Sequence, residues 1–303
     1  HYCSAGEPTR SAPSLKSLSI KSPDLGSQQD TPEWLRASAA TSIPLAQLVT
    51  ALENPGEIMH FNGSELELPL LKLAYWVGGN PFAHHQGRNK MLKAWENLET
   101  FIVHDFQWTA TARHADIVLP ATTSYERNDI ETMGSYSMSH IVSMKKLVEP
   151  QFEARNEFDI FTDIASHLGK GHDFSEGRGE MDWLQSLYEG ARSIARNQGM
   201  EMPVFTAFWE HNKPLAFPLK DEQKYFVRHA KFRENPALNP LGTDSGKIEI
   251  YSRAIEAYNY DDCPPHPTWI EPQEWVGGEK DRDYPLALIS NHPEGRLHSQ
   301  LCG

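Results

Sequence analysis

The chain has 303 residues, enough for two domains, and its 39% hydrophobic content with eight tryptophans can supply a core. Mean hydropathy of −0.55 and the lack of any run of about 18 apolar residues argue against a membrane protein. A net charge of −13 with no basic stripe excludes a general nucleic-acid or anionic-membrane binder, so a polyanionic ligand would rest on backbone N–H groups and a few arginines.

Residues 1–42 are rich in Ser, Pro, Gly and Thr and read as a long surface loop. Leu45, Leu48, Val49 and Leu52 have helical spacing, and Asn54–Pro55–Gly56 stops the helix. Asn62–Gly63 between Ile58–Phe61 and Leu66–Leu68 is a two-residue hairpin signal. The clearest α/β unit follows. Leu71–Val77, apolar apart from Lys72, predicts a strand covered on both faces; Gly78–Gly79–Asn80–Pro81 breaks it. Gln86–Leu98 places Met91, Leu92, Trp95 and Leu98 on one helical face, and Phe101–Val103 is the next strand, parallel to the first. After a short turn of helix at Trp108–His114, Asp116–Leu119 is a third strand. The fold class expected is α/β, a doubly wound and mostly parallel sheet.

Beyond Pro150, Asn156 is a good N-cap, and Phe158, Phe161, Ile164 and Leu168 form an apolar face ended by Gly169. Met181–Ala195 is one more amphipathic helix. The sequence then turns aromatic, Pro-rich and irregular, through Phe205, Phe208–Trp209 and Phe217–Pro218. Lys247–Tyr251 reads as a short strand, Arg253–Tyr258 as a helical turn or two, and residues 263–267 as rigid coil. Residues 277–281 look like a linker, and Leu286–Ser290 reads as a last strand. Cys3, Cys263 and Cys302 lie far apart without metal-ligand spacing. Adjacent His84 and His85 point apart and have no third ligand nearby. The chain starts at His1 without an initiator methionine or signal sequence and stops after a histidine-containing loop, so an internal fragment of a longer polypeptide is expected.

The polar residues gather where strands end, the edge at which open parallel sheets bind ligands. Gly78–Gly79 would let backbone N–H groups approach a phosphate, or is an ordinary strand-to-helix turn. Asp105, ending the second strand, would accept from a ribose or a base, or is a satisfied turn aspartate; Gln107 extends the same rim. Arg127 would contact a phosphate, or pair with Glu126 or Asp129 at the surface. Asp159 would accept from a guanine, or stabilises a helix start. His292, Arg296, His298, Ser299 and Gln300 crowd one loop after a strand without a nucleophile–base pair, which reads as a binding loop.

Several of these stretches carry a resemblance. Asn80–Pro81, Thr111 with 115–120, Glu126–Asp129, Phe152–Asp159 and the 292–300 loop look like the molybdopterin oxidoreductases. The likeness is narrower to the branch reducing trimethylamine N-oxide, dimethyl sulfoxide and biotin sulfoxide. Residues 226–229, 240–243, 248–252 and 259–263 are most similar to the trimethylamine-N-oxide reductases. The resemblance implies part of an enzyme that reduces an N- or S-oxide by oxygen-atom transfer at one molybdenum held by two molybdopterin guanine dinucleotides. It implies that Gly79, Asn80, Asp105, Gln107, Arg127 and Asp159 hold the guanosine and phosphates of one dinucleotide, and that His292, Arg296, His298, Ser299 and Gln300 reach the pterin. It places the serine that ligates molybdenum in an upstream half, so no serine here takes that role; a fragment alone should neither hold the cofactor stably nor turn over substrate.

It further implies a periplasmic setting, an electron donor such as a c-type cytochrome, and a division into three. Residues 1–170 would form part of an α/β cofactor-binding domain, 171–280 a mixed irregular α+β segment, and 281–303 the first strand of a truncated C-terminal dinucleotide-binding barrel. Two other classes compete: a non-catalytic structural subunit with the same fold, which should have lost the polar edge, and a nicotinamide dehydrogenase, which lacks its glycine fingerprint here.

Overall fold

The structure, a computed structural model, describes residue 15 and residues 43–133, 138–218, 225, 227–272, 274–289, 291 and 294. A 3-10 turn, Leu45–Gln47, runs into the helix Leu48–Glu53, which ends at Asn54 as the sequence predicts. Strands β1 (Ile58–Phe61) and β2 (Ser64–Glu67) form the expected antiparallel hairpin, with Asn62 at φ 50° and Gly63 at φ 76°. Positive φ at both central residues matches the right-handed strand twist, hence Asn-Gly. The hairpin tip is held from far away: the Gly63 N–H donates to the Tyr260 hydroxyl at 2.9 Å. A Cβ on Gly63 would lie 2.5 Å from the Tyr258 ring.

Strands β3 (Leu73–Val77), β4 (Thr100–Asp105) and β5 (Ile117–Pro120) make a parallel sheet in the order β3-β4-β5. Helices lie on both faces. On one, Trp95 of the helix Arg88–Trp95 packs edge-on against Phe101 and tilted against Trp76. On the other, Phe161 of the helix Glu157–His167 stacks on Tyr75 and His104. The alternation of strand side chains delivers this: Phe101 and Val103 enter the first core while His104 turns to the opposite face.

Some expectations hold only in part or not at all. Strand β3 is covered on both faces, by Trp95 against Trp76 and Phe161 against Tyr75, but it lies at an edge of the sheet among the described residues and is only half-buried, with Leu73 at its start 54% exposed. In the helix Glu157–His167 the buried residue is Ile160, while Leu168 lies past the helix end and is exposed. Lys247–Tyr251 and Leu286–Ile289 form no strand, and Leu288 is 96% exposed. An apolar run becomes a strand only when another supplies its hydrogen bonds, and no described residue does so there. The described residues contain no closed barrel.

Sequence reading also missed a second sheet. Strands β6 (Asp129–Met133), β7 (His140–Met144) and β8 (Leu215–Ala216) pair antiparallel in that order. Its apolar face carries Ile130 and Ile141 onto a core with Leu184, Tyr188 and Ala191 of the helix Glu180–Asn197. Phe205 and Phe208 complete it from a helix, Phe205–His211, within sequence that reads as irregular. Tyr188 is fully buried and stacks on Phe208; its hydroxyl donates to the Pro203 carbonyl at 2.9 Å.

Candidate functional site

At the carboxyl end of β3, Gly78 and Gly79 adopt left-handed φ of 68° and 81°, which glycine takes without a Cβ penalty. Asn80 next to them is 3% exposed, and its amide oxygen faces inward. It accepts from the Thr111 N–H at 3.2 Å and the Thr111 hydroxyl at 2.7 Å. The Thr111 oxygen in turn accepts from the Phe82 N–H at 3.3 Å. Asn80 thereby bolts the β3 loop to the turn Ala112–His114, while Pro81 starts the next helix at a position where no N–H is needed.

Asp105 closes its own turn. One carboxylate oxygen accepts from the N–H groups of Phe106 (2.8 Å) and Gln107 (3.3 Å), the other from the Thr109 hydroxyl (2.7 Å). The satisfied-turn reading is thus realised, although a carboxylate has acceptor capacity beyond three bonds. The exposed Gln107 and the half-buried Asp105 border a cleft of about 600 Å³ whose far wall is the segment 151–154. Glu126 ties the walls together: it accepts from the Thr123 N–H and hydroxyl and from the Gln151 N–H, each at 2.8 Å. These bonds hold its pKa below the ordinary value, so it stays ionised. Phe152, at φ 54°, projects fully into solvent at the mouth.

Past Glu126 and Ala154, which border both, lies a second cavity of about 300 Å³. Arg127 and Asp159 line it together. Arg127 donates to the Thr122 carbonyl at 2.7 Å and lies 3.6 Å from the Asp129 carboxylate. Asp159 stands in the first turn of a helix whose cap, the Asn156 side chain, accepts from the Phe158 N–H at 3.0 Å. Its exposed carboxylate makes no hydrogen bond or ion pair among the described residues. Glu180 lines the same cavity from the first turn of the Glu180–Asn197 helix.

His104, beside Asp105, is 1% exposed. Its Nε2 lies 2.7 Å from the Tyr75 hydroxyl, and its Nδ1 has no hydrogen-bond partner, the nearest carboxylate being Glu157 at 3.8 Å. Burial lowers its pKa from 6.5, against a smaller upward pull from Glu157. The structure therefore brings Asp105 and Gln107 to one cavity, Arg127 and Asp159 to the adjoining one, and leaves Gly79 and Asn80 in the loop behind. His292, Arg296, His298, Ser299 and Gln300 lie outside the described residues. Sequence reasoning missed the parts played by Glu126, Glu180 and His104. Glu126 could have been found, since Thr-x-x-Glu is a local capping pattern; the partners of the other two are remote in sequence.

Residues 44–167 match the family model described as molybdopterin oxidoreductase, and they span every one of these residues from Gly79 to Asp159. Over all 303 residues the chain is 56% identical to the dimethyl sulfoxide/trimethylamine N-oxide reductase of Rhodobacter capsulatus. The segment 44–167 is thus similar to a molybdopterin oxidoreductase domain, and the likeness to these reductases runs along the whole chain. The chain is 47% identical over 301 residues to the trimethylamine-N-oxide reductase of Haemophilus influenzae, and spans 36% of the length of each of these two relatives. With acetylene hydratase from Pelobacter acetylenicus it shares the fold, at a TM-score of 0.50 and 24% identity over 79% of this chain and 28% of that one. Molybdopterin oxidoreductases use a molybdenum–molybdopterin cofactor. The residues suit a group of that size and polarity: two adjoining cavities, the second lined by Arg127, Arg155 and Lys146 and by the Asp159 carboxylate, which has no partner among the described residues. No described helix is long and apolar enough to cross a membrane.

Proposed function

We propose that this chain is part of a molybdenum-dependent reductase of N-oxides or S-oxides, with trimethylamine N-oxide favoured, and that it holds one guanine dinucleotide arm of the cofactor. What carries the reading is identity of 56% along the entire chain to a dimethyl sulfoxide/trimethylamine N-oxide reductase, with the polar edge of the sheet intact. When bound, the cofactor supplies two-electron oxygen-atom transfer. The residues described here bind and orient its far end.

In this reading Asp159 does the recognising. An unpartnered carboxylate suits paired N–H donors, which a guanine edge offers, and charge-assisted bonds of this kind contribute roughly 1.5–3 kcal/mol. Arg127, half-neutralised by Asp129, takes a phosphate oxygen. Asp105 and Gln107 meet the ribose side, and the left-handed Gly78–Gly79 turn lets backbone N–H groups come close. Asn80 acts by fixing that turn through Thr111. His292, Arg296, His298, Ser299 and Gln300 are proposed to face the pterin. A periplasmic location and a c-type cytochrome donor belong to the same proposal.

The test is made on the holoenzyme. Molybdenum and guanine nucleotide are measured per polypeptide, and turnover of trimethylamine N-oxide is compared with that of dimethyl sulfoxide. Asp159→Asn is expected to lower cofactor content about tenfold or more, as loss of a charge-assisted bond requires. A holoenzyme without molybdenum, or one that reduces neither substrate, refutes the proposal.

A further inference from the structure

Glu180 lies outside the matched segment 44–167, on the helix of the second core, yet it reaches the cavity of Arg127 and Asp159. We propose that Glu180 is a positioning residue that sets the spacing of Arg127 and Asp159 across this cavity; the inference rests on the reading of that cavity as a cofactor pocket.

The carboxylate accepts three hydrogen bonds from two asparagines. One oxygen takes the Asn128 N–H at 3.2 Å and the Asn156 amide at 2.7 Å; the other takes the Asn128 amide at 2.8 Å. Asn128 is the neighbour of Arg127, and Asn156 caps the helix that displays Asp159 in its first turn. One anion therefore ties the cation-bearing loop to the anion-bearing helix. Its own place at a helix N-terminus favours the charge.

Neither asparagine can accommodate a neutral amide at position 180. The Asn128 amide oxygen already accepts from the Lys146 N–H at 3.0 Å, and that of Asn156 from the Phe158 N–H at 3.0 Å. Flipping either amide to serve a new donor would lose one of these bonds. In Glu180→Gln an NH₂ group must then face an NH₂ group on one side or the other, and the loop and the helix cap part there. Asn128→Asp in that background supplies a carboxylate oxygen to the new amide and still accepts from the Lys146 N–H, while the amide oxygen at position 180 keeps the Asn128 N–H and the Asn156 amide.

The experiment follows cofactor release from the holoenzyme, read as molybdenum and guanine nucleotide lost per polypeptide over time, alongside the melting temperature of cofactor-free protein. E180Q should release cofactor roughly tenfold faster. In the E180Q/D159N double variant the two effects should fall short of additive, because both act on one pocket. E180Q/N128D should restore slow release. A release rate in E180Q equal to wild type overturns the inference, as does full additivity with D159N or an E180Q defect seen only in the melting temperature. Unchanged release in both D159N and R127A overturns the reading of the pocket instead, and with it the role of Glu180.

Discussion

Asn80→Ala is the sharpest perturbation of the candidate site, because it separates a residue that holds a ligand from one that holds the loop behind it. The Asn80 amide oxygen takes two bonds from Thr111, whose side chain is buried and supports Phe82 as well. Removing it leaves a buried N–H and a buried hydroxyl without their acceptor. Each stranded donor costs about 1–3 kcal/mol; allowing for hydroxyl rotation, the loss is about 2–4 kcal/mol. For a folded unit of this size, about 2–4 °C of melting temperature goes with each kcal/mol, so cofactor-free N80A should melt roughly 5–15 °C below wild type. Thr111→Val removes the hydroxyl partner and should destabilise in the same direction. The two variants together should cost about 1 kcal/mol less than their sum, the signature of a shared contact. Differential scanning calorimetry of the cofactor-free proteins measures all three. If N80A melts within about 2 °C of wild type while its cofactor content collapses, the inward tie is not what Asn80 supplies and the side chain contacts the ligand directly.

Further outcomes follow from two buried groups. His104 is held neutral by burial, its pKa below 6.5, so the unfolded chain binds the extra proton first. Stability is therefore full above 6.5 and falls as pH drops below it, by at most about 1.4 kcal/mol per unit, until the folded value is reached. The groups facing the ring are Tyr75, Glu157 and Phe161, and only Glu157 opposes the trend. Denaturant titrations at pH 7.5 and 5.5 should show this loss, and His104→Phe should flatten it; an equal loss in the variant would refute the assignment. Tyr188→Phe removes the hydroxyl that donates to Pro203 and should cost about 1 kcal/mol by the same titration. Because burial pushes the Tyr188 pKa up to about 12, its ionisation should stay absent from an ultraviolet titration of the folded protein up to about pH 10.5.

Local chemistry explains what could be read without coordinates. The Asn62–Gly63 turn, the Asn156 cap and the apolar strands β3 to β5 each carry their signal within a few residues, and each forms where expected. What failed depends on partners. Strands β6 and β7 flank a short connection and are completed by β8, more than 70 residues on, so nothing local marks them as a sheet. Leu286–Ile289 shows the reverse case, a strand-like run with no described neighbour to pair with. In the site, Asp105 and Arg127 sit where the strand pattern places them, at the carboxyl edge. The inward turn of Asn80 toward Thr111 and the reach of Glu180 to Asn128 and Asn156 link residues 24 to 52 positions apart, a distance at which periodicity carries no information.

The hairpin tip at Gly63 reaches Tyr260 across 197 residues of chain. In an unfolded chain, closing a loop of that length costs about 5 kcal/mol of entropy, and one hydrogen bond returns about 1 kcal/mol. The clasp cannot start the folding of what it encloses. It closes only after both sheets have shortened the path between its ends. A Gly63–Tyr260 contact is therefore cheap only in a chain whose intervening residues have already folded.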